Sequence, residues 1–155
     1  MKSRTAEWFI CTIRYEKIME DGLQKKVTEK YVVDALSFTE AEARITEQMS
    51  TYISGEFDIV EIDRCPFKEV FFSEGETEDK WYKAKLHFIT IDEKTEKEKK
   101  TVVNYLVMGV SLESARKNID EVMGGTMIDY SISGLNETPI MDVFVYDAKK
   151  KEDNQ

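Results

Sequence analysis

Two segments of this chain alternate so that a tryptophan is followed, at every second position, mostly by polar or cationic side chains. In the first, Trp8, Ile10, Thr12 and Arg14 share a parity; in the second, Trp81, Lys83, Lys85 and His87 do. On a β-strand, alternate residues stand on one face, about 6.6 Å apart. An indole offers a flat surface to any base, and cations at that spacing can follow a line of phosphates. Lys30 and Lys68, on neighbouring strands, could extend the surface. The chemistry this pattern could do is the holding of single-stranded nucleic acid. Its candidate residues are Trp8, Arg14, Lys30, Lys68, Trp81, Lys83, Lys85 and His87.

Catalytic chemistry finds much less to stand on. The one histidine, His87, falls on an alternating strand, and Cys11 and Cys65 lie on or beside others. No paired ligand spacing results, so neither a transition-metal site nor a cofactor is expected. Glycine-rich phosphate loops, a helical metal-binding histidine pair and a nucleophile elbow are all missing from the sequence. Gly124-Gly125 follows a helical pattern rather than preceding one, which makes it a helix stop. Carboxylates are plentiful, but none form a pair set apart for acid–base work. The expectation is a protein that is not an enzyme. Its two thiols read as free in a reducing compartment, with a disulfide between them left open.

Charge pulls against the nucleic-acid pattern. Asp and Glu number 31 against 22 Lys and Arg, a net charge of −9, and a basic face is the usual footprint of a nucleic-acid binder. The acids cluster, however, at Glu74, Glu76, Glu78 and Asp79 and along Glu40, Glu42 and Glu47. One basic face can coexist with that sum. The alternative is a protein-interaction module without nucleic-acid affinity, whose acidic surface and aromatic rims dock a partner chain.

The elements that must position these residues come in two similar sets. Trp8 to Lys17 alternates, with Phe9, Cys11, Ile13 and Tyr15 on the inward face, and Val27 to Ala35 follows after a charged tip. Trp81 to Thr90 places Tyr82, Ala84, Leu86 and Phe88 inward, and Thr101 to Met108 follows. Ser37 caps a helix with an apolar stripe of Phe38, Ala41, Ile45, Met49 and Tyr52; Ser111 caps another with Leu112, Ala115, Ile119 and Met123. Short strands complete each set: Asp58 to Asp63 and Phe67 to Phe72, then Met127 to Ser133 and Ile140 to Tyr146.

The sets repeat at nearly constant offset. The only two tryptophans, 8 and 81, are 73 positions apart, as are the only two prolines, 66 and 139. Ser37, Ile45, Met49 and Tyr31 recur 74 positions on as Ser111, Ile119, Met123 and Tyr105. The pattern predicts an α+β fold, a tandem duplication of a ββαββ unit. Each helix stripe needs a sheet to cover, so residues 1–155 are expected to form one domain of two intertwined repeats, 8–72 and 81–146. Moving the cut point turns the chain into two ββββα units. That is the unit of the Whirly and Positive Cofactor Four fold, in which curved antiparallel sheets pack on two helices about a pseudo-twofold axis.

The segments Trp8-Phe-Ile-Cys-Thr-Ile-Arg-Tyr15, Ser37-Phe-Thr-Glu-Ala-Glu-Ala-Arg-Ile45, Pro66-Phe-Lys-Glu-Val-Phe-Phe72 and Pro139-Ile-Met-Asp-Val-Phe-Val-Tyr-Asp147 carry a resemblance. The chain resembles a domain-of-unknown-function family of Bacteroidetes and their phages, from about Trp8 to Tyr146. The resemblance implies a single-stranded DNA-binding protein of the Positive Cofactor Four type. Neither a signal peptide nor a membrane span is legible, and a cytoplasmic protein is expected. The expected partner is single-stranded DNA or RNA, with a protein partner and a homo-oligomer left open and no membrane.

Overall fold

In the computed structural model, residues 1–75 and 77–146 are described; Glu76, one of the clustered acids, and Asp147 lie outside them. The elements in chain order are β1 (Lys2–Thr5), β2 (Trp8–Ile18), β3 (Gln24–Asp34), α1 (Phe38–Tyr52), β4 (Phe57–Arg64) and β5 (Phe67–Phe72). They continue with β6 (Lys80–Ile91), β7 (Glu98–Gly109), α2 (Leu112–Gly124), β8 (Asp129–Glu137) and β9 (Ile140–Phe144). The fold is α+β, with two helices, two mixed sheets and a majority of strands.

The chain divides into two units. The α1 unit comprises Ala6–Cys65 and the chain from Ile140 onward; the α2 unit comprises Met1–Thr5 and Pro66–Pro139. The α1 unit has the sheet β4-β2-β3-β9, and the α2 unit has β1-β5-β7-β6-β8. Antiparallel sheets were the expectation, and here the structure corrects it: β9 runs parallel to β3, and β5 parallel to β7. The prolines supply the reason. Pro66 and Pro139 stand immediately before β5 and β9, and a residue preceding proline is forced into extended backbone. The chain therefore passes on instead of folding back as a hairpin. β5 joins the sheet of the α2 unit, and β9 that of the α1 unit.

Within each unit the inward faces fall where alternation places them. In the α1 unit Phe9, Cys11, Ile13 and Val33 pack against Ala41, Ile45 and Met49 of the helix. In the α2 unit Ala84, Leu86, Val103, Tyr105 and Val107 pack against Ile119 and Met123. The helices start at matching caps: the Ser37 hydroxyl accepts the Glu40 N–H at 3.1 Å, and the Ser111 hydroxyl accepts that of Ser114 at 3.1 Å. The outer stripe residues Phe38, Tyr52 and Leu112 are exposed. β8 starts at Asp129 and continues to Glu137, later than the Met127 to Ser133 expected, and Met127 is fully exposed. β1, all polar, carries no alternation that could announce it.

The tips of the two long hairpins share one backbone feature. Gly22 in the β2–β3 turn has φ 81°, and Glu96 in the β6–β7 turn has φ 56°. An L-residue pays steric strain in the left-handed region that glycine avoids, partly offset by glycine's greater freedom when unfolded. Glu96→Gly is therefore expected to raise stability by about 0.5–1 kcal/mol. A urea melt showing a loss of stability would mean that the Glu96 side chain holds the turn.

Candidate functional site

β6 is an interior strand of the α2 unit, so each of its side chains has a neighbour on both sides. On the face turned from α2, Lys83 stands between Leu106 of β7 and Asn136 of β8, Lys85 between Asn104 and Gly134, and His87 between Val102 and Ser131. Residues directly opposite one another in a sheet share a face. Ile89 pairs with Lys100, which adds a third lysine, and with Asp129, an acid at the end of the row. Lys83 and Lys85 are exposed and His87 is half-buried. Among the described residues neither lysine has an ion-pair partner. Beside Lys85, Gly134 offers no side chain to cover it: a Cβ there would lie 3.8 Å from the lysine Cβ. Four basic or titratable groups thus share a surface with Asn104, Ser131 and Asn136, which can donate and accept hydrogen bonds but bring no negative charge.

The corresponding face of the α1 unit is different. Thr12 stands between Lys30 and Glu61, Arg14 between Thr28 and Asp58, and Ile10 between Val32 and Asp63. Each cation there lies beside acids of β4. Glu61 is held above its ordinary range by a hydrogen bond and the charge of Asp63, while Lys30 pulls the other way. A phosphate chain would meet Asp58, Glu61 and Asp63 on this surface and be repelled.

Three expected site residues are corrected. Trp8 and Trp81 are each 2% exposed, so neither indole can stack on a base. The parity was right, since both stand opposite the inward faces, but that face is covered at its tryptophan end. An indole is the largest apolar side chain to be removed from water. Trp81 meets Phe72 edge-on with centroids 5.5 Å apart, and Trp8 Nε1 is buried with no hydrogen-bond partner among the described residues. Lys68 is the third: its Nζ lies 5.9 Å from the centroid of Phe88, a ring packed against the helix-side core. A register shift between Phe67 and Glu69 turns it away from Lys83 and Lys85. The structure thus brings together Lys83, Lys85 and His87, and leaves Arg14 and Lys30 in the other unit. Lys100, Asn104, Ser131, Gly134 and Asn136 were missed, because strand register decides which residues flank β6.

A family model described as Domain of unknown function (DUF4494) matches residues 7–146. The chain belongs to that family. No curated protein and no solved structure matches it. Within this DUF4494 chain, no group of three or more His, Cys, Asp or Glu that could hold a metal ion occurs among the described residues. No helix is long and apolar enough to cross a membrane.

Two further polar features of the α1 unit concern structure more than chemistry. The Tyr15 and Tyr31 hydroxyls both donate to Glu29 Oε1, at 2.7 and 3.1 Å. Burial and the carboxylate push Tyr15 up to about 12 and Tyr31 higher still, so both phenols stay donors. The thiols are the second feature. Burial pushes Cys11 and Cys65 up to about 12. Both thiols are free, Cys11 buried and Cys65 half-buried. A raised thiol is a poor nucleophile, so native protein is expected to react with a thiol reagent more slowly than urea-unfolded protein; equally fast reaction would show that the fold does not hold buried Cys11 and half-buried Cys65 protonated.

Proposed function

We propose that this chain is a non-catalytic protein that binds single-stranded nucleic acid, DNA first, through the Lys83, Lys85, His87 and Lys100 face of the α2 unit. The observation that carries the reading is the pair of exposed lysines without ion partners, set among neutral hydrogen-bonding residues in a chain of net charge −9. With both indoles buried, attraction is chiefly ionic. Binding is then indifferent to base sequence and weakens steeply with salt, by about 0.7 in log–log slope per phosphate contact. Titration of fluorescein-labelled oligo-dT at about 20 and 200 mM salt tests this by anisotropy. Saturable binding with a slope near −2 is expected, and no binding at low salt would overturn it.

Duplication of a ββαββ unit is part of the proposal. Supporting it are the sheet orders β4-β2-β3-β9 and β8-β6-β7-β5, which run through corresponding strands. The matching serine caps and the left-handed residues 22 and 96, again 74 apart, add to this. A Whirly-like arrangement has less behind it, since each sheet contains a parallel pair. The burial of both tryptophans favours a second reading, a protein-interaction module without nucleic-acid affinity, which the same titration separates.

A further inference from the structure

The four sheet edges of this protein are not defended alike. An edge strand offers unpaired N–H and C=O groups to any extended chain, and proteins usually guard it by shortness, charge or proline. β1 and β9 are short, at 4 and 5 residues. β4 carries Asp58, Glu61, Asp63 and Arg64. β8 has 9 residues, and every one from Tyr130 to Asn136 is uncharged, with no proline among them; its one guard is the bulge at Ser133, where its register with β6 shifts. Beside it, between β8 and α2, runs an open cleft of about 780 Å³. Leu112, which is 54% exposed, and half-buried Ile132 and Leu135 supply its apolar lining.

We infer that the β8 edge is a docking site for an extended segment of another protein, one that is apolar at alternate positions and basic at its ends. A strand added to β8 on either side of that bulge would pair with its backbone and direct alternate side chains into the cleft. Charge selects the partner. Asp129 and Glu137 close the two ends of β8, and Glu113 and Asp120 line the cleft with Arg116. A second copy of the chain fits poorly. Antiparallel self-pairing centred on Ser133 sets Asp129 against Glu137 at both ends, and like charges directly opposite destabilise a sheet. Lysine or arginine at the segment's ends meets those acids favourably. The site adjoins the lysine face, since Ser131 and Gly134 border both, but the charges that select its partner are Asp129, Glu137, Glu113 and Asp120.

The probe is a fluorescein-labelled nonapeptide, Lys-Val-Thr-Val-Thr-Val-Thr-Val-Lys, compared by anisotropy with the same peptide ended in glutamate. The lysine-ended peptide is expected to bind the full chain at least about tenfold more tightly. Ser131→Lys with Ser133→Lys, both exposed positions, puts charge on the middle of β8 and should weaken binding about tenfold or more; Ser133→Ala, which removes the same Ser133–Lys85 hydrogen bond without adding charge, should not. Lys83→Glu with Lys85→Glu, which abolishes the lysine face, should not weaken peptide binding. Equal binding of the two peptides, no saturable binding of either, or binding that survives the β8 lysines would overturn the inference. So would a dimer in sedimentation that those lysines dissolve, which would make a second copy the occupant.

Discussion

Replacing Lys83 and Lys85 together by glutamate is expected to weaken single-strand binding by roughly tenfold to a hundredfold at low salt. The log–log salt slope should become shallower by about 1.4, two contacts at 0.7 each. The physical basis is local. Both ammonium groups are exposed, and their sheet neighbours Asn136, Gly134, Leu106 and Asn104 bring no charge to neutralise them. Reversal places two acids where, among the described residues, two neighbouring lysines have no ion-pair partner. Neither side chain is packed, so the fold should be unaffected, which circular dichroism and a thermal melt can check. The matched control is Arg14→Glu in the α1 unit. Arg14 stands across from Asp58, where acids already dominate, and its reversal should change affinity by less than about threefold. Equal losses from both variants would remove the distinction between the two faces.

Trp81→Ala is expected to destabilise the fold by about 3–5 kcal/mol, lowering the folding constant by more than a hundredfold. The indole is 2% exposed and packs edge-on against Phe72. Its removal leaves a cavity that the sheet can only partly close. Against a typical stability of about 5–15 kcal/mol, that loss is a large fraction. A stacking residue would behave otherwise: its removal would cost about 1–3 kcal/mol in binding and little in folding. Urea denaturation followed by far-UV circular dichroism separates the cases. A loss below about 1 kcal/mol would show that the ring is not held in a packed environment.

Much of each unit's interior was legible in the sequence, for a simple reason. Period-two alternation identified Phe9, Cys11 and Ile13, and likewise Ala84 and Leu86, as inward residues, and helical spacing identified Ile45, Met49, Ile119 and Met123. These are local consequences of backbone geometry. What alternation could not tell was whether the opposite face is wet. It assumes one solvated side of a sheet, and Trp8 and Trp81 lie where that side is covered. Strand partners were equally hidden. Nothing local in Phe67–Phe72 says that it runs parallel to β7, and with that pairing came the register shift that carries Lys68 away from Lys83 and Lys85. The neutral surroundings of the two lysines were illegible for the same reason. Asn104 lies 19 positions from Lys85 and Asn136 53 positions from Lys83 in the chain, and only the sheet makes them neighbours.

The most direct measurement is the map of backbone amide shifts in a ¹H–¹⁵N spectrum as unlabelled oligo-dT is added at low salt. Binding through the lysine face predicts shifts concentrated on Lys83 to Ile89 of β6, Lys100 to Leu106 of β7 and Ser131 to Asn136 of β8, reversed by added salt. Shifts centred on β2 to β4 of the α1 unit, or none at saturating oligonucleotide, would contradict it.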